Sequence, residues 1–221
     1  MNQNTLYSAS SQTAVLETNK VLRNTYSLLA MTLAFSAVVA GITMSMNLPY
    51  LGPWVTIIGF YGLLFLVHKT ANSSAGLASV FALTGFMGYS IGPILSYYMA
   101  VNGGEIVMTA LGGTALIYFA TSGYVLTTKR DMSFLSGTLM IGSIVLIVAV
   151  IANLFLAMPA LSLAISAMFM FFSSALIMYQ TSEIINGGER NYILATVSLY
   201  VSIYNLFLSL LNLLSAFNSD D

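Results

Sequence analysis

Seven long apolar segments, each close to the length that crosses a lipid bilayer, constrain this chain more than any other feature. A helix needs roughly 20 residues to cross about 30 Å of hydrocarbon. Because lipid offers the backbone no hydrogen bonds, only helices and closed barrels span it, and barrel strands would be shorter and alternate in polarity. The continuous runs therefore predict helices. The predicted spans are residues 25–46, 50–67, 75–99, 106–128, 134–156, 160–182 and 191–217.

The scarcity of charge excludes an ordinary water-soluble fold. Only 6% of the 221 residues are charged, against roughly 25% in a typical soluble domain. The joints between segments are short, so neighbouring helices are expected to run antiparallel in one bundle without a second domain. The sequence predicts an all-α polytopic membrane protein whose seven-helix domain covers residues 25–217. A flexible or partly helical polar tail at 1–24 precedes it, and a short tail at 218–221 follows.

The positions of the cations predict the orientation in the membrane. With seven spans, every Lys and Arg falls before the first span or after spans two, four and six, and the opposite face has none. Cytoplasmic loops carry an excess of Lys and Arg. We therefore predict that the N-terminal tail is cytoplasmic and that the C-terminus lies outside, on the opposite side of the membrane. The cations are Lys20, Arg23, Lys69, Lys129, Arg130 and Arg190.

Several kinds of chemistry lack the residues that they need. The chain has no cysteine, one histidine and seven scattered carboxylates, so no metal site, thiolate nucleophile or cofactor is predicted. No nucleophile, phosphate-binding or metalloprotease motif occurs, and we predict no catalytic residues and no enzymatic activity. Six dispersed basic residues form no patch for nucleic acid.

The last segment carries a polar stripe with spacings of four, three, four and three residues. This spacing places the side chains on one face of a helix, which should point into the bundle or toward water. Hydrogen bonding between helices is the favoured interpretation, because the stripe has no ionisable group. The alternative is the lining of a narrow polar pathway. The stripe consists of Ser198, Ser202, Asn205, Ser209 and Asn212.

The third segment carries small residues on one face, at Gly85, Gly88 and Gly92, followed by Pro93. Small residues let helices approach closely in lipid, so tight packing is the favoured interpretation. A gating hinge is the alternative.

Motifs in the third, fourth, sixth and seventh segments resemble the Bax inhibitor-1 family of small membrane proteins. The third and fourth segments contain GYSIGPIL at 88–95 and ALGGTA at 110–115. The sequences YQT at 179–181, GERNYI at 188–193 and LYVSIYNLF at 199–207 resemble the last two helices of the family. The resemblance runs from about residue 16 to 214, nearly the whole chain.

For bacterial members, the resemblance implies a modulator of the membrane-embedded, ATP-dependent protease FtsH in the inner membrane. Such a protein is implied to bind FtsH, with HflK and HflC as further partners, and to slow degradation of membrane substrates. It is also implied to be a slow substrate, drawn in by its N-terminal tail, which here holds Glu17, Lys20 and Arg23. The resemblance leaves the oligomeric state open.

The resemblance also implies an alternative function, a pH-sensitive calcium leak. Members with this activity carry one acidic residue on each of the last two helices. The matching positions here are Gln180 and Ser202, which do not titrate. Glu183, one turn beyond Gln180, is the nearby ionisable substitute, but the last segment offers it no acidic partner. The leak channel is therefore the second hypothesis, and a small-solute transporter ranks third.

Overall fold

Seven α-helices form the part of the chain that the computed structural model describes, residues 3–102 and 104–218, with side chains described for 16–101 and 104–218. All seven are long and apolar enough to cross a membrane. The prediction of an all-helical chain with seven apolar segments is therefore confirmed. The helices are α1 (Gln3–Ser45), α2 (Gly52–Thr70), α3 (Ala75–Asn102), α4 (Gly104–Thr128), α5 (Leu135–Leu156), α6 (Pro159–Ile185) and α7 (Tyr192–Asn218).

The first helix begins well before its predicted span. It starts at Gln3 and continues without a break into the apolar stretch Leu16–Ser45. Residues 3–15 contain no Gly or Pro to interrupt the helix. The predicted tail is thus helical from residue 3, while its flexibility stays a prediction. At the other end α7 reaches Asn218, and residues 219–221 of the predicted C-terminal tail lie outside the described residues.

Helix α7 is the centre of the bundle. In its most apolar stretch 61% of residues are buried inside the protein, against 6% for α2 and 11% for α5. It packs against α1, α2, α3, α4 and α6, whereas α5 contacts only α6 among the described helices. Helices α2 and α5 therefore present most of their surface to lipid, and α7 presents its surface to protein. The fully buried residues of α7 include Leu199, Tyr200, Leu206 and Leu211.

The small-residue face of α3 packs against α1. A Cβ added to Gly88 would lie 2.5 Å from the carbonyl oxygen of Ser36, and one added to Gly92 would overlap the side chain of Thr43. The two backbones approach each other as the packing interpretation of these glycines requires. Helix α3 continues through Pro93 to Asn102, and a hinge at this position stays a prediction.

A tight turn connects α6 to α7 and places the loop between them. The amide of Gly188 donates to the carbonyl of Glu183 at 2.8 Å, and Gly187 adopts φ +76°. Glycine takes this left-handed conformation without the steric cost that a Cβ would add, and it commonly ends helices in this way.

Candidate functional site

All cations of the chain lie at one end of the bundle, which we call the basic end. Contacts between loops bring them together. The α6–α7 loop reaches the α2–α3 loop through Asn191 and Asn72, whose side chains are 2.8 Å apart, and Ser182 of α6 reaches the α4–α5 loop. The part of α1 that carries Lys20 and Arg23 lies beside the α6–α7 loop. The six residues are Lys20, Arg23, Lys69, Lys129, Arg130 and Arg190.

A polar groove of about 390 Å³ lies at the basic end, between α1 and the α6–α7 loop. Two of the three predicted tail residues, Glu17 and Lys20, line it, while Arg23 does not. The loop contributes Glu189 and Arg190 on the other side. Glu17, Lys20 and Arg190 are exposed. The polar groove therefore offers two carboxylates and two cations to a polar partner, and the combination of α1 with this loop was not predicted.

Asn191 caps α7 and also ties it to another loop. Its Oδ1 accepts hydrogen bonds from the amides of Ile193 and Leu194, at 2.9 and 3.3 Å, which satisfies two donors at the helix start. Its Nδ2 donates to the carbonyl of Ala71 at 3.1 Å and to Oδ1 of Asn72 at 2.8 Å. An Asn directly before an apolar helix is recognisable from the sequence as a cap. The contact of Asn191 with Asn72, 119 residues away in the sequence, is not recognisable in this way.

Ser182 has a similar role at the end of α6. Its buried hydroxyl accepts from the amide of Met132 at 2.9 Å and from Asn186 Nδ2 at 3.0 Å, and it donates to the carbonyl of Arg130 at 3.3 Å. One side chain thereby holds the α4–α5 loop against α6. Together, Asn191 and Ser182 keep the three loops of the basic end in fixed positions.

The polar stripe of α7 is divided between contacts with α6 and a cavity. Ser202 donates to Gln180 Oε1 at 3.3 Å, and Asn212 donates to Ser166 Oγ at 2.8 Å. Asn205, Ser209 and Asn212 line a cavity of about 310 Å³ together with Ser166 and Tyr98.

The members of the stripe differ in burial. Ser202 and Ser209 are buried, Asn205 and Asn212 are half-buried, and Ser198 is exposed. Ser198 therefore lies outside the bundle interior, although its carbonyl oxygen, at 2.9 Å, shares the single hydroxyl hydrogen of Ser202 with Gln180 Oε1.

The two positions that match the acidic pair of the family are brought together in the fold. Gln180 and Ser202 share one neutral hydrogen bond between α6 and α7. Glu183 does not join them: its half-buried carboxylate lies against Gly188 in the turn after α6. Within the described residues no three His, Asp or Glu side chains are grouped as a metal site would require.

A comparison with known families agrees with the motifs. The sequence pattern of the family described as "Inhibitor of apoptosis-promoting Bax1" matches residues 18–219, which is nearly all of the chain. The chain belongs to this family. The resemblance stated from the motifs of the third, fourth, sixth and seventh segments is thereby confirmed.

Within the Bax inhibitor family, several curated bacterial proteins are similar along their full length. The "Modulator of FtsH protease YccA" of Escherichia coli K12 is 54% identical over 213 residues, covering 96% of this chain and 97% of that protein. The "Inner membrane protein YccA" of Escherichia coli O6:H1 matches with the same identity and coverage. An uncharacterized protein of Pseudomonas aeruginosa is 58% identical over 206 residues, covering 93% of each chain.

Proposed function

We propose that this protein is an inner-membrane modulator of the FtsH protease, acting in membrane protein quality control. One observation carries the proposal: 54% identity, over 96% of the chain, to the Escherichia coli protein named as a modulator of FtsH. A modulator binds and slows a protease and needs no catalytic residues of its own, so we infer that the chain is not an enzyme. HflK and HflC are included as further partners on the family resemblance alone.

The orientation follows from charge. Since the basic end carries all six cations, it should face the cytoplasm, with the N-terminus inside and the C-terminus in the periplasm. The name of a relative, "Inner membrane protein YccA", supports the inner membrane as the location. In this orientation the polar groove and the start of α1 face the same compartment.

The start of α1 is suited to be the segment that the protease engages. Residues 3–15 precede the apolar stretch Leu16–Ser45. A helical segment this short gains little stability by itself, so unwinding it costs little free energy. Once extended, residues 1–15 span about 50 Å, which lets the end of the chain reach a proteolytic chamber beneath the membrane.

The bundle behind this segment would resist extraction. Unwinding a helix in lipid leaves backbone groups without hydrogen-bond partners. The first helix to be pulled, α1, is packed against the glycine face of α3 and bonded to α7 through Ser36 and Tyr200. An accessible end attached to a helix that is hard to remove would occupy FtsH for a long time. We infer that slow degradation and inhibition have this common cause.

The polar groove is the surface that we assign to contact with the protease. It lies directly beside α1 where the engaged segment ends, at Glu17 and Lys20. Its mixed charges suit a polar partner outside the membrane, and such contacts specify orientation and partner more than they add affinity.

Degradation of a membrane substrate by FtsH in liposomes tests the proposal. Full-length protein should slow degradation, and a chain lacking residues 2–15 should not, because it keeps the polar groove but has lost the segment to be engaged. The matched control replaces residues 2–15 with an equally long Gly/Ser sequence, which should still inhibit because it remains easy to unfold.

The degradation assay tests the modulator proposal and the tail mechanism separately. If full-length protein fails to slow degradation, the modulator proposal is wrong. If the chain lacking residues 2–15 and the chain with the Gly/Ser replacement both slow degradation as much as full-length protein does, the modulator proposal stands and the tail mechanism is overturned.

The calcium leak remains the alternative function, and the chemistry of the Gln180–Ser202 pair weighs against it. A pH-sensing gate needs groups that change charge, whereas an amide and a hydroxyl stay neutral at all physiological pH values. The polar cavity beside Asn205 is the observation that favours a pathway, since it extends along the stripe of α7.

A further inference from the structure

An apolar groove opens on the side of the bundle between α1 and α4, and we call it the lateral groove. The two helices touch near the basic end, where Tyr26 of α1 contacts Ser122 and Tyr118 of α4, and beyond that contact a gap of about 590 Å³ separates them. Leu33 to Met44 of α1 form one wall and Val107 to Phe119 of α4 form the other. Helix α7 supplies the floor with Tyr200, Ile203, Tyr204 and Phe207.

The floor of the lateral groove is hidden, and its rims are open. Ile203 is 8% exposed and Phe207 is 6% exposed, whereas Leu111 and Phe119 on the α4 rim are 48% and 70% exposed. Because the helices span the membrane, the medium at these rims is hydrocarbon. Bulk lipid contacts the rims directly, but it reaches the floor only by entering the groove.

The lateral groove has the length of one leaflet. From Leu33 to Met44 the α1 wall rises about 17 Å, close to the 15 Å or so that is half of the hydrocarbon core. It extends away from the basic end, since Met44 is at the end of α1 and Val107 is at the start of α4. It therefore lies in the leaflet opposite the basic end.

Its width fits one hydrocarbon chain. A gap of 590 Å³ spread over this length has a mean cross-section of about 35 Å². A hydrocarbon chain, whose carbons meet their neighbours at about 4 Å, needs about 20 Å². The groove therefore has room for one chain.

The lining offers water a single free polar group: among the described residues that line the groove, Tyr118 has the one buried hydroxyl without a hydrogen-bond partner. The hydroxyl of Ser36 is bonded to that of Tyr200 at 2.6 Å, and Thr114 donates to the carbonyl of Ala110 at 2.7 Å. The tyrosine rings at positions 118 and 204 pack against Tyr26 and Tyr200. A buried water requires two to four polar partners. The groove thus favours an apolar occupant.

We propose that the lateral groove binds one acyl chain of a bilayer phospholipid, from the leaflet opposite the basic end. The chain would fill the gap between α1 and α4 and hold the two helices at their observed separation. This proposal requires that the protein span a membrane and does not depend on binding to FtsH.

Photo-crosslinking of the protein in liposomes tests this directly. A phosphatidylethanolamine with a diazirine in one acyl chain is illuminated, and labelled residues are mapped by mass spectrometry. Labelling of Ile203 or Phe207 reports a chain on the floor of the lateral groove. Labelling of Ile144 on α5, which is 55% exposed, reports bulk lipid in the same molecule.

Two substitutions fill the lateral groove from opposite walls. A Cβ at Gly41 meets no atom within 4 Å, so Gly41→Phe adds a ring without displacing backbone. Ala115→Phe does the same from α4, where Ala115 lines the groove. Gly62→Phe on α2 is the matched control, because a Cβ there also meets nothing within 4 Å.

Wild type and Gly62→Phe should be labelled on the floor. In Gly41→Phe and Ala115→Phe, floor labelling relative to Ile144 should fall at least about tenfold. Labelling of Ile144 without any label on the floor in wild type would overturn the proposal. Floor labelling that persists unchanged in both filled variants would do so as well, and thermal unfolding in detergent identifies a variant that has not folded.

Discussion

The hydroxyl groups of Ser36 and Tyr200 lie 2.6 Å apart in the buried interior and join α1 to α7. Tyr200 also donates to the carbonyl of Thr84 on α3 at 3.4 Å, so Ser36 is the donor to Tyr200. Three helices thereby meet at one side chain. Tyr200 is thus one of the buried polar side chains that join the helices.

Removing this connection should destabilise the bundle by a modest amount. Tyr200→Phe keeps the ring and loses both hydrogen bonds, at a cost of about 0.6–1.5 kcal/mol. Ser36→Ala should cost about the same. The double variant should cost less than the sum of the two single variants, because both substitutions remove the same Ser36–Tyr200 hydrogen bond. Unfolding in detergent measures all three. Tyr97→Phe, where the side chain is 63% exposed, is the control and should change stability by less than about 0.5 kcal/mol. Additive costs would contradict a direct contact.

The approach of α3 to Ser36 gives a second prediction. Gly88→Ala places a methyl group 2.5 Å from the Ser36 carbonyl, so α1 and α3 must move apart. Overpacking of this kind costs about 1–3 kcal/mol. Gly112→Ala is the matched control on α4, since a Cβ there meets nothing within 4 Å, and it should be neutral or slightly stabilising. The midpoint of thermal unfolding separates the two variants. Equal midpoints would show that the interface tolerates the methyl group.

Sequence alone predicted the seven segments and the glycine face of α3, because length, hydropathy and spacing are local properties. It did not predict that Gln3 begins α1, since polarity marks the boundary of the bilayer and not that of the helix. The bond between Ser36 and Tyr200 joins residues 164 positions apart. Ser and Thr occur in most of the segments, so the choice of partner depends on how the helices are rotated in the bundle. The exposure of Ser198 depends on the same rotation.

The two functions of Asn191 can be separated by substitution. Asn191→Asp keeps an oxygen that caps α7 but loses the two hydrogen bonds donated to the α2–α3 loop. Asn191→Ala loses the cap as well as these two hydrogen bonds. Loss of a cap costs about 0.5–2 kcal/mol. We expect both variants to be destabilised, Ala more than Asp. Hydrogen exchange should report faster opening at Ile193 and Leu194 in Asn191→Ala only. Equal exchange in the two variants would contradict a capping role.

The assignment of the polar groove as the contact with FtsH predicts a dependence on charge. Replacing both groove cations, in Lys20→Gln with Arg190→Gln, should weaken binding to FtsH in liposomes, and the difference from wild type should shrink at high salt. Lys69→Gln is the control, because Lys69 lies at the same end outside the groove. Rates of association should change more than rates of dissociation. A loss of binding as large in Lys69→Gln would indicate a general effect of charge and contradict a specific site.

The hydrogen bond between Gln180 and Ser202, 3.3 Å long, allows the leak hypothesis to be tested by adding the missing chemistry. Replacing both residues with Asp puts two carboxylates side by side, and the two repel each other when both are ionised. If the scaffold contains a latent pathway, calcium flux in liposomes should become dependent on pH in this double variant and stay unaffected by pH in wild type.

The control variant combines Gln180→Asp with Ser198→Asp. Because Ser198 is one turn away and exposed, the two charges in this variant lie further apart and closer to solvent. Calcium flux in the Gln180–Ser202 variant, but not in the control, would show that this chain fails to conduct because it lacks the acidic pair. No flux from a correctly folded double variant would show that α6 and α7 enclose no pathway, and the polar stripe would then serve only to hold the two helices together.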